Sequence, residues 1–163
     1  MSRIFEDVTL FLDELPEFSP LMGLDLGDKT IGIAICDSFR TIATPRETIR
    51  RKKFGADAMR LEQLIDTNNI DALVLGFPRN MDGSEGPRCQ STRAFARNFC
   101  ARRDIAILLW DERLSTVAAE RALLEADTSR RKRAQVIDHV AASYILQGVL
   151  DRLSHIRAEN NNG

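Results

Sequence analysis

Four acids in this chain stand where a carboxylate needs a physical reason to be. Asp25 interrupts an apolar run between Leu24 and Leu26, where losing water is costly unless a cation or a metal ion compensates the charge. Asp111 and Glu112 follow the apolar run 105–110, and strand ends are the usual ligand-binding mouth of an α/β sheet. Asp138 shares a helical face with Ala134, Ala141, Ala142, Ile145 and Val149, a stripe narrow enough for close approach to a sheet. An acid on such a stripe is unusual, and reaching the same cation as the strand acids is its simplest justification.

Asp25, Glu112 and Asp138 together would form an all-oxygen site. No cysteine or histidine cluster accompanies them, so the site suits Mg2+ (or Mn2+) rather than zinc. Two such ions about 3.5–4 Å apart can activate a water and stabilise the leaving oxygen of a phosphodiester. Taken singly, each acid could equally be a buried structural carboxylate, Asp25 for example paired with Lys29 or Arg113. Asp111 is the second choice for the metal beside Glu112, because a strand buried on both faces gives no clean parity. His139 and His155 read as helix-flank residues, since neither stands beside a nucleophile.

Bases surround these acids. Lys29 lies in a polar turn, Arg113 adjoins the acid pair, and Arg130-Arg131-Lys132-Arg133 precedes the Asp138 helix. We expect Lys29, Arg79, Asn80, Arg113, Arg130 and Arg133 to contact substrate, the basic ones by neutralising phosphates. Arg79 and Asn80 belong to a loop after a buried strand, closed by an Asp82-Gly83 turn. Arg50-Arg51-Lys52-Lys53 reads as solvated surface.

The elements that position these groups follow from periodicity. Strands are expected at 21–25 and 30–36, joined as a hairpin through Gly27-Asp28-Lys29, with a third at 41–50. A helix over 54–68 precedes a buried strand at 71–77. A helix carrying Ala94, Phe95 and Phe99 leads to the strand at 105–110, and two helices, about 116–126 and 134–153, finish the domain. The order implies a five-stranded mixed α/β sheet with helices on both faces. Ahead of it, Ile4, Phe5, Val8, Phe11, Leu12 and Leu15 predict an amphipathic helical extension over 1–19, closed by Pro16 and Pro20. The domain proper spans 20–153, and 154–163 reads as a disordered tail ending in three asparagines and a glycine.

Composition excludes several classes. The 163 residues carry a net charge of −1, so any polyanion is held by local basic clusters rather than by global charge. Three cysteines without a Cys-x-x-Cys pair fit neither a disulfide framework nor a zinc site. A reducing, cytoplasmic setting is expected. Glu6, Asp7, Asp13 and Glu14 break the start, unlike a signal peptide, and no run approaches the ~20 apolar residues of a membrane helix.

At these residues the chain resembles the YqgF family, also called RuvX, whose members are named as Holliday-junction resolvases and as pre-16S ribosomal RNA nucleases. The resemblance covers residues 20–152. It rests on Asp25-Leu26-Gly27 with Lys29 and Gly32, Gly76-Phe77-Pro78 through Asp82-Gly83, Asp111-Glu112-Arg113-Leu114-Ser115-Thr116, and Asp138 with Ala141-Ala142. Many members carry a second basic residue where this chain has Thr30. The resemblance implies a ribonuclease H-like fold with catalytic acids at Asp25, Glu112 and Asp138. It implies an endonuclease on structured nucleic acid, foremost 5′-end processing of pre-16S rRNA in ribosome biogenesis; a monomer or weak homodimer is expected. A DNA Holliday junction substrate and a non-catalytic RNA-binding assembly role are the alternatives. Asp25-Leu26-Gly27 also resembles the first phosphate loop of actin-like and sugar-kinase ATPases, but those need two such domains and this length supplies one.

Overall fold

A computed structural model describes residues 3–114 and 130–162, with side chains over 3–114 and 140–161. The chain order is β1 (Ile4–Phe5), α1 (Val8–Asp13), β2 (Leu21–Leu26), β3 (Thr30–Cys36), β4 (Ala43–Arg50), α2 (Phe54–Asn68), β5 (Ala72–Phe77), α3 (Pro87–Arg102), β6 (Ala106–Asp111), a single 3-10 turn (Glu112–Leu114) and α4 (Arg130–Asn162). The strands form one six-stranded sheet in the order β1-β6-β5-β2-β3-β4. The β2–β3–β4 meander is antiparallel, whereas β2, β5, β6 and β1 run parallel.

Alternation along the strands divides two cores. Met22, Leu24, Leu73, Leu75, Phe77, Ile107 and Leu109 face α2 and α3, with Leu61, Ile65, Phe95 and Phe99 packed among them. Leu21, Ala72, Val74, Ala106, Leu108 and Trp110 face the other way, onto α4 and Phe11 of α1. Helices therefore cover both faces, as the order of elements predicts.

The sheet has six strands rather than five. Ile4 and Phe5 do not begin a helix: they pair in parallel with Ile107 and Leu108, because the free edge of β6 offers the backbone partners that a two-residue helix start lacks. Asp7 then caps α1, accepting from the Thr9 and Leu10 N–H groups at 2.8 and 3.2 Å. Phe11 is fully buried against α4, so this segment is part of the core. The helix expected at about 116–126 lies outside the described residues. The final helix is longer than expected: it starts at Arg130 and continues to Asn162, through the residues read as a disordered tail. Its far end is anchored beneath the start of β2, where Arg157 Nη2 donates to the Glu17 carbonyl at 3.3 Å. Its N-terminal end therefore points towards the opposite, carboxyl end of β2. No helix among the described residues is long and apolar enough to cross a membrane.

Candidate active site

Asp25 is 6% exposed on β2, in the row of Leu21 and Gly23 that faces α4. The close approach at Gly23 fixes this orientation: a Cβ there would meet Leu146 Cβ at 2.8 Å and the Ala142 carbonyl at 3.1 Å. Across the hairpin, Asp25 pairs with Gly32. On the other side β2 runs in register with β5 as far as Leu24 and Leu75, so one more residue sets Asp25 beside Gly76. Glycines on both flanks leave the space around this carboxylate unfilled by neighbouring side chains on the sheet.

Glu112 occupies part of that space. Its Oε1 lies 2.6 Å from the position a Cβ on Gly76 would take, and Ile145 Cδ1 of α4 is equally close to that point. Neighbouring strands are about 4.8 Å apart, so the Asp25 and Glu112 carboxyls share one face and one end of the sheet. Each has further interactions within the protein. Asp25 Oδ1 also stands 3.7 Å from Arg88 Nη2, a long contact.

Asp111 lies on the other face. It pairs with Phe77 in register, in the row directed towards α2 and α3. Arg113 Nη2 holds its Oδ2 at 2.7 Å, the Arg113 amide donates to Oδ1 at 3.0 Å, and Arg79 Nε approaches to 4.0 Å. Hydrogen bonding from the Arg113 guanidinium holds the Asp111 carboxyl below the ordinary carboxylate range, against the opposing effect of burial. The strand thus does have a parity: Trp110 faces α4 and Asp111 faces away from it, while Glu112, in the turn that follows, brings its carboxylate to Gly76 on the α4 face.

Arg79 and Arg113, expected to contact substrate, are engaged with acids of the protein. Arg79 reaches Glu6 at 2.9 Å and Glu85 at 3.6 Å. Arg93 completes this network through paired bonds to Glu85, both at 2.7 Å, and both guanidiniums stack on Phe77. Asn80 serves its own loop: its side-chain amide nitrogen donates to Ser84 Oγ at 2.9 Å and its backbone carbonyl accepts from the Gly83 N–H. Gly83 takes φ +88°, which only glycine adopts without strain. Lys29 stands exposed on the β2–β3 turn. The side chains of Asp138, Arg130, Arg133 and His139 lie outside the described residues. Among the described residues, no three His, Cys, Asp or Glu side chains are grouped to hold a metal ion, so Asp25 and Glu112 alone do not complete a site.

Sequence reasoning missed Arg88 and Arg93. Both depend on partners outside α3: Glu85 and Glu6 for Arg93, and the Leu26 carbonyl for Arg88.

The chain is similar to several known proteins. A chain from Ruegeria pomeroyi named "Putative pre-16S rRNA nuclease" is 65% identical over 153 residues, covering 94% of this chain and 99% of that one. A Roseobacter denitrificans protein of the same name is 63% identical, covering 97% and 98%. Among solved structures, Thermus thermophilus RuvC in complex with a Holliday junction substrate matches with TM-score 0.50 and 9% identity over 83% of this chain and 96% of that one. The yeast mitochondrial Holliday junction resolvase matches with TM-score 0.50 and 12% identity, over 95% and 89%. At such low identity these two show the fold, which is of the RuvC-like ribonuclease H type. The family model described as RuvX, Holliday junction resolvase, matches residues 19–152; the chain belongs to the RuvX family.

Proposed function

We propose that this chain is a metal-dependent endonuclease that hydrolyses phosphodiesters in structured nucleic acid, with the 5′ region of precursor 16S rRNA as its foremost substrate. The observation that carries the reading is the Glu112 carboxylate lying over Gly76 with Asp25 on the adjacent strand beside it, on one face at the carboxyl ends of β2, β5 and β6. Two carboxylates at an oxygen-only mouth fit Mg2+ or Mn2+ and need a third oxygen ligand. Asp138 suits that place, because it precedes Ala142 by one helical turn and Ile145 by two, on the stripe that abuts Gly23 and Gly76. Glu112 is preferred to Asp111, whose carboxyl is taken by Arg113 on the other face.

Bound there, the metal would supply charge neutralisation and a water of lowered pKa. The chain's own part is to orient its carboxylates and to bring phosphates to them. Lys29, exposed on the β2–β3 turn, and Arg113, next to Glu112 in the chain, are suited to hold phosphates, and Arg130 and Arg133 precede Asp138 in the sequence. Arg79 and Asn80 act by shaping the loop after β5. A protein that acts on precursor ribosomal RNA would act in the cytoplasm.

The test is cleavage of a 5′-extended 16S precursor by purified protein with Mg2+ and with EDTA. Cut RNA in Mg2+ alone supports the reading. Preferential cutting of a four-way DNA junction favours the DNA substrate, and tight RNA binding without cutting of either favours an assembly role.

A further inference from the structure

We propose that Arg51 and Arg88 form a phosphate clamp that grips the nucleic-acid backbone beside Asp25, an inference that rests on the nuclease reading above. Two consecutive carbonyls directly after Asp25 anchor these side chains from different elements. Arg88, in the first turn of α3, donates from Nη2 to the Leu26 carbonyl at 2.9 Å. Arg51, just past β4, donates from Nη1 to the Gly27 carbonyl at 2.6 Å. Each guanidinium carries five N–H donors, and among the described residues the only other partner of either is Asp25, 3.7 Å from Arg88. Most of their donors therefore remain for a ligand.

The two arginines border a notch shared with Gly27, Asp28, Ser91 and Thr92, of about 10 Å³. That volume holds roughly one water, so a phosphate would rest across the rim with oxygens directed at both guanidiniums rather than enter. Carbonyl anchoring fixes the planes beforehand, which reduces the ordering cost of bidentate phosphate binding. Surrounding charge favours the same occupant. The Arg51 amide is bonded to the Lys29 carbonyl at 2.8 Å, which sets the run Arg50-Arg51-Lys52-Lys53 against the Lys29 turn. Lys29, Arg50, Lys52, Lys53 and Arg88 are exposed there, against Asp28 on the rim. The buried Asp57 carboxylate accepts from the Lys52 amide at 3.0 Å and fixes this corner at the start of α2. A basic run read as plain solvated surface in the sequence thus becomes a track leading away from the acids.

The probe is a fluorescein-labelled RNA hairpin with a single-stranded 5′ extension, titrated by anisotropy in EDTA at several salt concentrations. Each phosphate contact contributes about 0.7–0.9 to the slope of log affinity against log salt. The double variant Arg51→Gln/Arg88→Gln should bind roughly 10- to 100-fold more weakly, with a slope lower by about one to two. Arg51→Lys/Arg88→Lys should keep most of the slope, which a purely structural role for the carbonyl bonds would not explain. Wild-type affinity and slope in the glutamine variant, with its melting temperature preserved, would overturn the clamp. If that variant melts too early, the single glutamine variants carry the test, each expected to lose about one contact's slope. Binding in EDTA requires no catalysis, so failure of the clamp appears in the slope and failure of the nuclease reading appears only in cleavage.

Discussion

Glu112 and Gly76 are matched: the carboxylate oxygen Oε1 sits 2.6 Å from where any side chain on Gly76 would begin. The glycine is needed for the space it leaves, since its strand backbone makes no demand for positive φ. Gly76→Ala should push Glu112 and Ile145 aside, costing about 1–3 kcal/mol of stability. Cleavage should fall at least tenfold while the sheet persists. Thermal melting and single-turnover rates on precursor RNA check this, and an alanine variant of full activity would show that Glu112 is not held where it matters.

The two adjacent acids at the end of β6, Asp111 on the strand and Glu112 in the turn after it, are expected to differ in function. Glu112→Gln should reduce the cleavage rate by two or more orders of magnitude with little change in melting temperature. Asp111→Asn should keep the rate within a few-fold and lose stability, because Arg113 loses its carboxylate partner. Inverted results would put Asp111 at the metal.

The Asp111 ion pair also sets an acid limit on stability. Arg113 lowers the folded-state pKa of Asp111, and Arg93 does the same to Glu85. A depressed carboxyl stabilises the fold above its unfolded pKa, about 3.9 for Asp and 4.3 for Glu, and that stability is lost as pH falls through the folded value. Denaturation midpoints should therefore decline from about pH 4 downward, less steeply in Asp111→Asn than in wild type. Parallel curves would refute the assignment.

The N-terminal segment is expected to behave as core. Phe11 is fully buried, and Phe→Ala at such positions costs about 3–5 kcal/mol. Phe11→Ala should lower the denaturation midpoint accordingly; a neutral result would mean that the segment is only draped over α4.

Much of this was legible in the residues. The 54–68 helix and the 30–36 strand follow directly from period and punctuation, and they are observed at those bounds. Asp25 stood out because a carboxylate inside an apolar strand has few explanations. Three things were hidden. Ile4 and Phe5 fit a helical stripe as well as they fit an edge strand, and only the free side of β6 decides between them. Which faces Trp110 and Asp111 take, and so the pairing of Asp111 with Arg113, is not revealed by a doubly buried strand. The roles of Arg79 and Arg88 depend on partners far along the chain, Glu6 and the Leu26 carbonyl, and no local pattern encodes such distances.

The most direct test is single-turnover cleavage of precursor 16S RNA by wild type and by Asp25→Asn, each with Mg2+ and with EDTA, alongside melting of the same four samples. If Asp25 and Glu112 hold a catalytic cation, Mg2+ stabilises the wild type and supports cleavage, and the asparagine variant loses both effects while remaining folded. Wild-type cleavage by a folded Asp25→Asn protein, or melting indifferent to Mg2+, would contradict it.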